Sequence, residues 1–156
     1  MAFNIKNSLI ALQSHIASTG YVNDAAIGEP TSPPTDALDK VHAAVYMASA
    51  GVVELTLSTT TEVHVAIVRL YKRAAFTDGD DSADVEQEMA LAVSEITSNF
   101  IGEFDLGSTI RAIDVGGTYG SSLTATWGYV NLSQVIFRIV DIQVPLIVDG
   151  SATQAA

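Results

Sequence analysis

Asp78, Asp80, Ser82 and Asp84 alternate along the chain, the spacing with which a calcium loop delivers its first oxygen ligands. Such a loop also needs glycine at its sixth position and a bidentate glutamate at its twelfth. Counted from Asp78, those positions hold Ala83 and Met89. The run therefore reads as an acidic loop ahead of a helix, whose N-terminal dipole favours anions. His15, His42 and His64 are the 3 histidines, and they lie far apart. No Gly-x-Ser-x-Gly elbow supplies a nucleophile beside any of them. His64 falls within an apolar run and reads as a packed or subunit-facing residue, not as a base. Cysteine is absent, which excludes thiolate metal sites and disulfides. The residue types thus predict no catalytic residue, no metal and no cofactor.

The segment Ile113-Asp114-Val115-Gly116-Gly117-Thr118 resembles the first phosphate loop of sugar kinases of the actin-like superfamily, where glycine amides between two strands cradle phosphate. Those kinases carry the loop at the start of a chain at least twice as long, and they need a second lobe. Only 36 residues follow Gly120, and the loop has no Lys or Arg. It reads better as a hairpin turn in which glycine supplies positive φ. A small-ligand or nucleotide site on Gly116–Gly120 is the alternative from a different functional class. Asp114 and Asp141 are the carboxylates in apolar surroundings. Asp141 stands three residues from Arg138. Strand alternation puts the two on opposite faces, so each needs a partner on a neighbouring strand. Trp127 and Tyr129 share a strand face and read as core or interface anchors.

Composition narrows the partners. Net charge is −11, and the 7 basic residues are Lys6, Lys40, Arg69, Lys72, Arg73, Arg111 and Arg138. Only Arg69, Lys72 and Arg73 cluster, which argues against specific binding to duplex nucleic acid or to an anionic membrane. No secretory signal is visible at the start, and no apolar run reaches the ~18 residues of a membrane span. Charged residues make up 16% of the chain, well below the usual quarter. Mean hydropathy is +0.31. So uncharged a surface fits either burial against other subunits or an Ala-, Thr- and Ser-rich surface that is simply weakly polar.

The elements that position these residues follow from periodicity. Ile5, Leu9, Leu12 and Ile16 predict a helix over 4–19, with Asn4 as N-cap and Gly20 as the stop. Residues 21–36, with Pro30, Pro33 and Pro34, read as an irregular extended arm that packs against something. Val41–Met47 and Val52–Leu57 read as two short strands, although the alanines of the first also allow a helix. Val63–Tyr71 is apolar on both faces and so reads as a strand covered on both sides by helices or neighbouring subunits. Val85, Met89, Ala92, Val93, Ile96 and Phe100 predict a helix over about 84–101, capped by Ser82 or Asp84 and ended by Gly102. Thr109–Val115, Leu123–Val130 and Val135–Val144 read as an antiparallel meander, with a tight turn over Asn131–Gln134. Pro145 and Asp149-Gly150 close the ordered pattern. The expected fold is α+β: a mostly antiparallel sheet of five to six strands with two main helices. It forms a single domain over 1–150, with a tail over 151–156.

Five segments, taken in order, carry a further resemblance. They are Ile27-Gly28-Glu29-Pro30-Thr31-Ser32-Pro33-Pro34, then Val63 to Tyr71, then Phe104 to Asp114, then Trp127-Gly128-Tyr129-Val130, and Phe137 to Asp149. Their order resembles the tail terminator proteins of long-tailed bacteriophages, particularly those of actinobacterial hosts, over residues 3–150. The resemblance implies a subunit without a catalytic site, assembled in the host cytoplasm into a hexameric ring of the virion neck. The ring caps the tail tube protein and meets the head-closure or connector protein. DNA passes as cargo without specific binding, and no membrane is involved. Another neck or tail component of the same particle is the nearest alternative. On this reading the excursions at 21–36, 72–83 and 115–122 suit subunit contacts. The contact candidates are Ile27, Glu29, Pro30, Pro33, Pro34, Arg69, Lys72, Arg73, Asp78, Asp80, Asp81 and Tyr119. Residues 78–105 hold nine acids and no Lys or Arg. A solvated helix face accounts for these acids; on the ring reading, the alternative is that some of them line a lumen that repels passing DNA or meet a basic neighbour.

Overall fold

A computed structural model of the protein describes residues 5–35, 39–74, 82–103, 105–107 and 109–151. Helix α1 runs from Ile5 to Ser18 and buries Ser8, Leu12 and Ile16. Gly20 follows at φ 78°, the left-handed stop the sequence predicts. The expected cap at Asn4 lies outside the described residues. Next come β1 (Ala25–Ile27), β2 (His42–Leu55) and β3 (Thr59–Arg73). Helix α2 (Ser82–Gly102) is followed by β4 (Ala112–Ile113), β5 (Thr124–Leu132) and β6 (Val135–Ser151). The fold is α+β, with two helices and one six-stranded, mostly antiparallel sheet of order β1-β2-β3-β6-β4, β5 also pairing with β6. Among the described residues, no helix is long and apolar enough to cross a membrane.

Four expectations need correction. The arm at 21–36 is not wholly irregular: Ala25–Ile27 adds in parallel to Ala43–Val45 of β2. Val22 and Ala25 pack on the chain's own core, which is what the arm packs against. The two short strands are one strand, β2. Register slips at Met47/Ser49 and Val52/Glu54 leave Ala48 and Val53 as bulged residues. Each bulge breaks the period of two, and so β2 reads as interrupted in sequence. The meander is incomplete, because β4 pairs with β6 and not with β5. Finally, β6 continues through Pro145 to Ser151. Pro145 accepts from the Asp114 amide (2.9 Å) on the β4 side. Its missing N–H thus falls where the outer partner of β6 changes from β5, ending at Thr124↔Gln143, to β4, at Ile113↔Leu146.

Both helices lie on one sheet face. Leu12, Ile16, Met89, Ile96 and Phe100 pack there against Val68, Leu70, Ile142, Val144 and Leu146. Each fully buried side chain of this size contributes about 2 kcal/mol through lost apolar exposure. The predicted α2 stripe is buried at all six positions, Val85, Met89, Ala92, Val93, Ile96 and Phe100.

The opposite face carries no helix among the described residues, contrary to one option the β3 pattern left open. Tyr119 packs there on Val63, Val65 and Ile147. At the other end, Tyr71, Phe137, Ile139 and Leu132 close over Ala44. His42 stacks on Tyr71 at 5.6 Å, and Tyr71 meets Phe137 edge-on at 5.7 Å. Loops and aromatic side chains therefore give β3 its second cover.

Candidate interaction surface

Arg69 stands at the middle of the helix-free face. Its Nε and Nη2 donate to Asp141 Oδ1 and Oδ2 at 2.8 and 2.9 Å, and its Nη1 donates to Glu29 Oε1 at 3.3 Å. The guanidinium also sits 5.6 Å from the Tyr46 ring centre. Arg69 and Asp141 are register partners, so the neighbouring-strand partner predicted for Asp141 is present. Lys72, three residues on, projects to the helix face and pairs with Glu88 of α2. Alternation thus splits the one basic cluster between two faces, and both side chains are neutralised within the chain. Arg73 is exposed. Arg138 binds Glu86 of α2 through Nε and Nη2 at 3.0 and 3.2 Å, so its partner lies on a helix and not on a strand.

The other predicted contact residues are dispersed. Ile27 is 48% exposed on β1, and Pro30, Pro33 and Pro34 are half-buried. Asp78, Asp80 and Asp81 lie outside the described residues. Tyr119 is half-buried, with its hydroxyl donating to Glu54 Oε1 at 3.2 Å.

Asp114 organises the glycine loop. Its carboxylate accepts from the Thr118 amide at 2.8 Å and the Tyr119 amide at 3.0 Å. Burial alone raises this carboxyl. The bonds from Tyr119, Thr118 and Gly117 outweigh burial and hold it below the usual carboxylate range. Amides that would have to cradle a phosphate are therefore already bound to an anion of the chain itself.

One constellation has the residue types of a hydrolytic triad. Ser8 Oγ lies 3.5 Å from His64 Nδ1, and His64 Nε2 lies 2.9 Å from Glu62 Oε2. Their exposures are 2%, 0% and 4%, so no substrate reaches Ser8 in this state. The group is a buried polar tie between α1 and β3. Ser8 and His64 are 56 residues apart, and no spacing signal in the sequence joins them. Two surface grooves, of 610 and 370 Å³, border α2 and the end of α1. Neither is lined by these three residues or by the glycine loop.

The sheet edges are the most unusual surface. β1 covers β2 only at Ala43–Val45, with the Gly28 amide bonding the Val45 carbonyl at 2.9 Å. Among the described residues, no backbone group bonds to 48–55 of β2 from that side. On the far edge, among the described residues, Thr124–Trp127 of β5 pairs with β6 alone. Large apolar side chains stand exposed at both: Val52, Val53, Leu55 and Leu57 by β2, and Trp127 and Tyr129 on β5. Neither β2 nor β5 contains Lys, Arg or Pro, and Glu54 is their only acid. No protein-family model and no curated protein matches the chain.

Proposed function

We propose that the chain is a structural subunit of a long-tailed bacteriophage virion, a tail terminator. It assembles into a hexameric ring that caps the finished tail tube, ends polymerisation and gives the head connector its joining surface. Two things support this reading: the ordered resemblance of five segments, and a surface suited to assembly. The observation that carries it is the pair of apolar, charge-poor sheet edges on a chain of net charge −11. A protein that stays monomeric blunts such edges with Lys, Pro or inward charges. The occupied amides around Asp114 weigh against the nucleotide-binding alternative.

Deleting the gene from its phage tests the function. A terminator's loss leaves tails of uncontrolled length and unjoined heads. Normal-length tails contradict the reading and point to another neck component. In the same phage, changing Asp78, Asp80 and Asp81 to Asn should reduce tail joining if these acids face the lumen or a basic partner. Unchanged infectivity sinks that role for them.

A further inference from the structure

The two open edges belong to strands that run in opposite directions, and this fixes how they can meet. β2 is antiparallel to β3, β3 to β6, and β6 to β5. When a second copy is placed by rotation about an axis roughly along the strands, its β2 arrives beside β5 in the antiparallel sense. The alternation then continues across the junction without a break. We propose that Ser49–Val52 of β2 in one copy pairs with Thr124–Trp127 of β5 in the next, so that a ring closes through one continuous sheet. The proposal rests on the ring reading above and names its interface.

Each stretch is four residues long, and three residues of each can pair directly while every side chain keeps its face. Bulges at Ala48 and Val53 bracket Ser49–Val52. Beyond Trp127, the Gly128 carbonyl already accepts from Arg138 Nη1 at 3.2 Å. They match in chemistry too, since neither stretch carries a charge. Glu54, just outside, is held by the Tyr119 hydroxyl. With Thr126 opposite Gly51, Ala125 comes beside Val52 and Trp127 beside Ala50; Val52 and Trp127 are 51% and 41% exposed in the single chain. A two-fold contact of β2 with β2 would cover one edge and leave β5 open. The unlike edges of one chain satisfy each other only head to tail.

Side-chain parity restricts the register further. Ala50 and Val52 share the helix face with His64 and Glu62, as Ala125 and Trp127 do with Ile142 and Val140. Ser49 and Gly51 share the helix-free face with Thr124 and Thr126. A continuous sheet keeps each face to itself, so Thr126 lies opposite either Ser49 or Gly51. Through β3, Ser49 is level with Pro145 of β6 and Gly51 with Ile147, while Thr126 is level with Asp141. The step per copy is therefore four or six residues, about 14 or 20 Å along the strand. Over four strand spacings of about 4.8 Å, the strands tilt by about 35° or 47°. Closed barrels tilt by about 35–45°, so the four-residue step falls within that range and the six-residue step just above it.

The chain has no cysteine, so engineered thiols report the junction alone. A Cβ added at Gly51 meets nothing within 4 Å, and the position tolerates the change. The purified protein is oxidised as the single variants Ser49→Cys, Gly51→Cys and Thr126→Cys, and as each β2 cysteine combined with Thr126→Cys. Native mass spectrometry runs in parallel. One double variant should give a disulfide-linked ladder ending in a closed ring, with the single variants silent. Trp127→Lys, which needs no thiol, should lower oligomer yield about tenfold. Dimers from a single variant mean a two-fold contact and overturn the proposal. Rings without a ladder also overturn it and leave the ring reading standing. A monomer at every concentration overturns it as well, and the ring reading then depends on the assembled particle.

Discussion

Asp114 shows how one side chain can occupy the amides of a glycine-rich loop. It is 4% exposed and holds the amides of Thr118 and Tyr119, so the loop folds back over Val63, Val65 and Ile147. Its carboxyl titrates lower in the folded chain than the ~3.9 of an unfolded one. The sign follows: its contribution is complete above about pH 4 and is lost as pH falls through the folded value. Asp114→Ala should cost about 2–3 kcal/mol at pH 7 in urea unfolding, and the loss should shrink in acid. His15 behaves in the opposite sense from a paired histidine. Its Nε2 is buried without a hydrogen-bond partner, and its ring stacks on Phe100 at 5.1 Å. Burial lowers its pKa, and Glu103 offsets this only in part. The fold therefore favours neutral imidazole and loses stability as pH falls below about 6.5. His15→Leu should gain about 1 kcal/mol at pH 7, and its stability should decline less between pH 7 and 5.

Among the elements, the β5–β6 hairpin turns on non-glycine residues at positive φ, Ser133 at 50° and Gln134 at 70°. Asn131 supports the turn by accepting from the Gln134 amide at 2.9 Å. The primed turn favours Asn-Gly at these two positions. Changing Ser133→Asn and Gln134→Gly together should stabilise the chain by about 1 kcal/mol, raising Tm by about 2–4 °C. A lowered Tm would show that the turn is set by something other than its backbone angles. The same element scale explains what was legible in the sequence. The α2 stripe was, because one helix face against one sheet leaves an unbroken 3.6 period. β2 was not, because Ala48 and Val53 shift its phase twice. Pro145 was misleading, because a lost amide matters only where a ladder partner is waiting. Trp127 and Tyr129 were correctly placed on a shared face, yet their exposure depends on β5 being an edge, which no local pattern encodes. The buried Ser8, His64 and Glu62 group was invisible for the same reason: tertiary packing alone brings α1 onto β3.

For the whole molecule, the charge and the edges fit one picture. Lys72 and Arg138 neutralise Glu88 and Glu86 of α2, and Arg69 neutralises Asp141. Acids still outnumber bases by 18 to 7. That surplus keeps free copies apart in solution, while the uncharged edges give the one kind of contact it does not oppose. In the proposed ring, contact runs through backbone pairing and apolar side chains, which leaves the acids to the lumen or the rim. The most direct measurement is a density map of the assembled phage particle. The account predicts six copies of this chain in a closed ring at the head end of the tail tube. A map that places the chain elsewhere, or shows that ring built from another protein, would contradict it.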